Sequence, residues 1–317
     1  MGKSKIPETG IYDARQLGTG RMLLLGFQHM FAMFGATILV PILTGLDVSN
    51  TLLFAGLGTL LFHLITGGKV PAFLGSSFAF LGGYATIAPM LGEHQDIPNL
   101  EMLPYACFGV ACAGLVYVIL AYLFKVFGAK KVMRFFPPIV TGPIIIAIGL
   151  NLSSSAINNC TGSWWIAIAA ILIIVAANIW GKGMIKIIPI LLGVIGSYVI
   201  AVIADPAVRD NLVQNVSEAE WFALPIKMEQ TVFGLFASGN VDAHKLLTAA
   251  ITIVPLSLAT MVEHIGDVSA ISSTCDRNYI EDPGLHRTLM GDGLATTLAA
   301  LFGAPANTTY GENTGVL

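Results

Sequence analysis

This chain reads as an all-α polytopic membrane protein, on three observations. Apolar residues make up 55% of its 317 residues and charged residues only 11%, against roughly 25% charged in a soluble domain. Long apolar runs recur along its length, with a mean hydropathy of +0.77. The basic residues between those runs fall on alternate connections. The net charge of −3 offers no basic surface for nucleic acid. Cys107, Cys112, Cys160 and Cys275 show neither metal-ligand nor disulfide-framework spacing and read as packing residues; no metal site is expected.

The first 20 residues are polar, without a cleavable signal pattern. A spanning helix needs about 20 mainly apolar residues. Candidate spans run over 22–43, 52–66, 72–91, 104–127, 139–152, 164–179 and 185–204. After a polar loop at 205–245 come 246–270, 289–302 and a segment opening at Asn307. Lys3, Lys5, Arg15, Arg21, Lys69, the group Lys125, Lys130, Lys131 and Arg134, and Lys182 with Lys186 mark one side. By the positive-inside rule that side, with the N-terminus, is cytoplasmic. The intervening connections carry Glu93, Asp96 and Glu101, or Asn158 and Asn159. The loop at 205–245 is expected outside, and within it Trp221-Phe-Ala-Leu-Pro225 and Val232 to Phe236 read as an interfacial segment rather than a span.

Ionisable groups are costly inside a bilayer and mark substrate or ion sites by default. Gln28-His29 lies in the first span, His63 in the second, Glu263-His264 and Asp267 in the eighth, Asp292 in the ninth and Glu312 in the tenth. His63, near a helix end, reads as structural. His264 admits a structural or a ligand role, and Asp292 either burial or a place near the membrane surface. Glu263 and Asp267 are four apart, hence on one helix face. Two like charges on a desolvated face repel, so at least one is expected to be protonated part of the time, as proton coupling requires.

Gly75-Ser-Ser-Phe-Ala-Phe80 and Asn307-Thr-Thr-Tyr-Gly-Glu-Asn313 place small and polar residues where a smooth helix would have Leu or Ala, and Pro71 and Pro305 precede them. Broken helices free backbone groups that can bind a ligand. A shift of 235 residues carries Gln28-His29 onto Glu263-His264 and Ser77-Phe78 onto Glu312-Asn313. With seven spans in the first unit, the second enters from the opposite side, giving an inverted repeat.

At these residues the chain resembles the bacterial uracil-permease branch of the nucleobase–cation symporter-2 (nucleobase–ascorbate transporter) family. The matching stretches are Gln28-His-Met-Phe-Ala-Met-Phe-Gly-Ala-Thr37, Pro71-Ala-Phe-Leu-Gly-Ser-Ser-Phe-Ala-Phe80, Glu263-His-Ile-Gly266, Asp282-Pro-Gly-Leu-His-Arg287 and 307–315. The resemblance implies an inverted 7+7 transmembrane repeat, incomplete in its second half here, with short strands breaking spans three and ten. It implies a cytoplasmic N-terminus at 1–20, a core domain at 21–134 and 246–317, a gate domain at 135–204 and an extracytoplasmic loop at 205–245.

Carried over residue by residue, Glu263 and Glu312 are the carboxylates that bind the base, with Phe78 and Gly311 supplying backbone contacts. Asp267, His29, Ser77 and Asn313 form the proton-coupling and supporting network. Uracil presents two ring N–H donors and two carbonyl acceptors, which carboxylates and strand N–H groups complement. Asp267 stands where uracil permeases often carry histidine, a feature of other branches of the family. The second departure is length, so a C-terminally truncated chain is expected.

The function implied is elevator-type uracil:proton symport in the inner membrane, with no cofactor beyond the coupling proton and no enzymatic activity. Uracil or a related nucleobase, the lipid bilayer and a second copy of the chain are the expected partners. The rivals are a xanthine or urate carrier of the same family and a non-transporting membrane fragment that only binds ligand.

Overall fold

The computed structural model describes residues 14–92, 97–132, 160–182, 189–218 and 224–317, with scattered backbone positions between 134 and 185. The candidate span at 139–152 and the acidic residues Glu93 and Asp96 fall outside the described residues, apart from isolated backbone positions in the former.

The described chain is mostly helical. Helix α1 (Thr19–Thr44) closes on Gly45, whose backbone N–H returns to Pro41. Asp47 then caps α2 (Val48–Thr66), accepting the Asn50 N–H at 2.9 Å; a short polar side chain there satisfies a donor the helix cannot. Burial pushes the Asp47 carboxyl up, but the Asn50 N–H and the Lys227 ammonium outweigh it and hold the group below the ordinary aspartate range. Past α2 the chain forms strand β1 (Leu74–Ser76), a 3-10 turn (Phe78–Phe80) and the short α3 (Leu81–Ile87). The third candidate span is thus broken where its small polar residues stand.

Helix α4 (Leu103–Phe127) starts with a proline in its first turn and is followed by α5 (Ala129–Val132). Two very apolar helices come next, α6 (Trp164–Trp180) and α7 (Pro189–Ala204). They pack closely, and a methyl on Gly196 would lie 2.7 Å from Ile173. The region read as a polar loop contains α8 (Pro206–Glu218), bent by 109° from α7. It was missed because its polar, exposed sequence gives no apolar run.

Helix α9 (Val232–Ala237) is six residues long and lies against the ends of α4 and α12. Val232 is buried and Phe233 meets Phe302 edge-on at 5.1 Å. Before it, buried Gln230 accepts the Asp47 N–H at 3.2 Å and donates to the Gly45 carbonyl at 3.3 Å. Gln230, just ahead of the Val232–Phe236 part of the segment expected to be interfacial, therefore ties the α1–α2 turn to the core, while Trp221 and Phe222 of that expectation lie outside the described residues.

Helices α10 (Ala243–Ile253) and α11 (Leu256–Thr274) make one apolar stretch divided at Pro255, matching the eighth predicted span. Helix α12 (Leu285–Leu301) leads into strand β2 (Asn307–Thr309) and a 3-10 helix (Gly311–Val316). Helices α2, α4, α10 and α12 pack into one block, while α6 and α7 pack on each other and meet it at α1. The α4–α12 contact is intimate: a methyl on Gly114 would lie 2.7 Å from the Gly293 carbonyl, and one on Gly293 2.6 Å from the Gly114 carbonyl.

Among the described residues three helical stretches are long and apolar enough to cross a membrane: Val48–Thr66, Leu103–Phe127 and Ala243–Thr274. Of the other predicted spans, the third is broken at β1, the helix of the sixth is 17 residues long and that of the seventh bends sharply into α8. Leu60, Leu64, Ile119, Tyr122, Ile171 and Leu172 are exposed, an apolar surface that suits lipid rather than water.

Candidate functional site

Two broken segments, far apart in sequence, meet in the middle of the block. Strands β1 and β2 pair antiparallel, with Leu74 opposite Thr309, Gly75 opposite Thr308 and Ser76 opposite Asn307. The Tyr310 N–H extends the ladder to the Phe73 carbonyl at 3.0 Å, and the Ser77 N–H reaches Ala306 at 3.0 Å. All six paired residues are buried. Buried backbone must be satisfied, and a two-stranded ladder leaves outer groups that the surrounding helices have to serve.

They do so residue by residue. On the β1 side, the Leu74 N–H donates to Thr59 Oγ1 of α2 at 3.0 Å, and Ser76 Oγ donates to the Thr37 carbonyl of α1 at 3.0 Å. On the β2 side, the Thr309 N–H donates to Asp292 Oδ1 of α12 at 2.8 Å. Thr296 Oγ1 donates to the Asn307 carbonyl at 2.9 Å, and Asn307 Nδ2 donates to the Phe54 carbonyl at 2.8 Å. The Tyr310 hydroxyl crosses back to the Ser76 carbonyl at 2.6 Å and receives Thr37 Oγ1 at 3.3 Å. The close approach explains Gly75: a methyl there would lie 2.5 Å from Thr37 Oγ1 and 2.7 Å from the Tyr310 ring.

Each strand runs into a 3-10 turn, the first opening at Phe78 and the second at Gly311. The first N–H groups of such a turn have no acceptor within it. Both residues are half-buried, and α11 packs against both turns. Asp267 of α11 is half-buried and so close to Gly311 that a methyl there would lie 2.6 Å from Oδ1. Glu263, one turn earlier on α11, is exposed. Burial therefore acts on Asp267 more than on Glu263, although the two share one helix face.

Behind the second turn, buried Asn313 donates through Nδ2 to the His29 carbonyl at 3.1 Å, with His29 Nδ1 at 3.4 Å. Ser77 is buried at the end of β1. The backbone of Glu312 belongs to the 3-10 helix; its side chain, like that of Gln28, lies outside the described residues. The structure thus gathers Phe78, Gly311, Asp267, Ser77, Asn313 and His29 around the strand ends.

Sequence reasoning did not single out Tyr310, Thr37, Thr59 or Thr309, whose hydroxyls carry no hydropathy signal. It left Asp292 and His264 open. Both are fully buried, with His264 Nδ1 3.3 Å from Asp292 Oδ2.

A strand pair at the break of two apolar segments, with the carboxylate-bearing helix α11 packed against both strand ends, is the arrangement of a helical membrane protein. A family model described as "Permease family" matches residues 20–317, and the chain belongs to that family. Among its relatives, a probable uracil permease of Haemophilus influenzae is 38% identical over 92% of this chain. A uracil permease of Bacillus caldolyticus is 39% identical over 94% of it. A putative pyrimidine permease of Escherichia coli K12, RutG, is 35% identical over 99% of it and aligned over 69% of its own length. The chain spans about two thirds of the first two relatives, 66% of each.

Proposed function

We propose that this chain carries the nucleobase site of a secondary transporter that takes up uracil with protons. The observation that carries the reading is the β1–β2 pair, with the ends of both strands facing α11 and its two carboxylates. Glu263 and Glu312 take the ring N–H donors of the base, while backbone N–H groups at Phe78 and Gly311 serve its carbonyls. Asp267, half-buried against Gly311, exchanges the coupling proton together with Glu263. The relatives named as uracil permeases support uracil as the substrate.

The register supports an inverted repeat. Leu74 pairs with Thr309, residues 235 apart, which is the shift that superposes Gln28-His29 on Glu263-His264. A local two-fold axis through that pair also matches Gly75–Thr308 with the Phe73–Tyr310 contact. The block formed by α2, α4, α10 and α12 is the core that moves in an elevator motion, and α6 with α7 belongs to the gate.

Equilibrium binding of radiolabelled uracil to the purified chain tests the site. Saturable binding is expected, displaced by unlabelled uracil and not by xanthine, and lost in Glu312→Gln. Unchanged affinity in that variant, or displacement by xanthine alone, sinks the assignment. Uptake into proteoliposomes that persists after a protonophore collapses the gradient would rule out proton coupling.

A further inference from the structure

Directly behind β2, α11 and α12 press an imidazole and a carboxylate together out of solvent. His264 and Asp292 side chains are each 0% exposed. Asp292 Oδ1 accepts the Thr309 N–H at 2.8 Å, and Oδ2 lies 3.3 Å from His264 Nδ1. The same Nδ1 is 3.0 Å from Thr309 Oγ1. One strand residue is therefore gripped twice, by its amide through Asp292 and by its hydroxyl through His264.

A carboxylate held away from water needs hydrogen-bond donors on its oxygens. The Thr309 amide supplies one to Oδ1, whereas Oδ2 has no hydrogen-bond partner among the described residues and lies 3.3 Å from His264 Nδ1, whose own hydrogen bond goes to Thr309 Oγ1. The other ring nitrogen, Nε2, is buried and has no hydrogen-bond partner among the described residues. Nε2 therefore has no neighbour among the described residues to take a proton from it or give one to it. The ionisable groups around the pair are Tyr117 of α4, which interacts electrostatically with Asp292, Glu263 and Asp267. The Tyr117 hydroxyl is turned to Thr260 of α11.

We infer that His264 is a positioning residue for the nucleobase site: its Nδ1 holds the Thr309 hydroxyl beside Asp292, which holds the Thr309 amide, and the two together fix the β2 register and the Tyr310–Gly311 backbone beside Asp267. It acts as a fixed strut and does not carry the coupling proton. The binding consequence rests on the proposed function, whereas the strut itself does not.

Three substitutions separate the alternatives. His264→Asn puts an amide N–H near the place of Nδ1, His264→Gln puts it near Nε2, and His264→Leu removes it. Hydrogen exchange of the Thr309 amide, measured without ligand, should match wild type in the Asn variant and be at least about tenfold faster in the Gln and Leu variants. Uracil affinity should follow the same order, with the pH profile of uptake unmoved in the Asn variant. If Leu does not yield monodisperse protein, the Asn-against-Gln comparison carries the test. Thr309 protection in Gln or Leu equal to wild type, an Asn variant as damaged as Gln, or a displaced pH profile in Asn overturns the inference. If wild type binds no uracil while exchange follows the expected order, the strut stands and the functional reading falls.

Discussion

Strands β1 and β2 sit at equivalent places about Leu74 and Thr309, yet different chemistry holds them. The Leu74 amide rests on a threonine hydroxyl, Thr59 Oγ1, and the Thr309 amide rests on a carboxylate, Asp292 Oδ1. A neutral bond contributes about 1 kcal/mol net and one to a charged group about 1.5–3 kcal/mol. The difference is one of strength and of burial: losing either partner leaves one strand amide unserved, but losing the carboxylate also empties a fully buried place beside His264. One strand is anchored by parts that cannot change charge, the other by parts that can.

The sharpest way to break that contrast is to remove each anchor. Asp292→Ala should lower the stability of the purified protein by about 3 kcal/mol and weaken ligand binding at least about a hundredfold. Thr59→Val should cost about 1 kcal/mol. Equal thermal shifts in the two variants would mean that the strands are held alike.

A smaller effect separates the glycines that begin or follow the pairing. Gly75→Ala forces a methyl against Thr37 and the Tyr310 ring, both fixed by hydrogen bonds, and overpacking of this kind costs about 1–3 kcal/mol. Gly311→Ala meets only the carboxyl end of Asp267, a side-chain tip rather than backbone or a ring. The first variant should melt lower; the second should melt nearly as wild type while changing affinity and its pH dependence. A reversal of that pattern in a melting series would place the rigid contact on the β2 side.

The smallest effect lies at the outer end of the block, where Lys227 Nζ meets Asp47 Oδ2 at 2.9 Å. The folded Asp47 carboxyl is held below its unfolded value, so its contribution is present above about pH 4 and is lost as pH falls through the folded value. Lys227→Ala should therefore melt slightly below wild type at pH 7, by under about 1 kcal/mol, with the gap closing in acid. A gap that widens below pH 4 would contradict the assignment.

Much of this arrangement was legible in the sequence. Pro71 and Pro305 ahead of small polar runs marked both breaks, because glycine and serine cannot sustain a lipid-facing helix face. The 235-residue shift equals the separation of one of the three pairs, Leu74 and Thr309. The apolar runs identified α2, α4, α6, α7 and the joined α10 and α11. What stayed hidden depended on distances between helices. Asp292 could lie near a surface or in the interior until Gly114 and Gly293 let α4 and α12 close over it. Glu263 and Asp267 share a face, but only packing against the second 3-10 helix shows which one loses water. Helix α8 was hidden by its polarity, and the grip of Gln230 on the α1–α2 turn by its distance in sequence.

The register of the strand pair also has a consequence in time. Thr59 and Thr37 are synthesised before β1, so that strand can satisfy its outer groups as soon as it emerges. Its true partner follows 235 residues later, on the order of 10–50 s at ribosomal speed. During that interval β1 has no partner strand. The neutral hydroxyls that hold it need no proton and no late-arriving helix. Asp292 and His264 of α12 and α11 also precede β2, so the later strand docks onto a prepared cradle. The same geometry that makes the site symmetric in space makes its construction sequential.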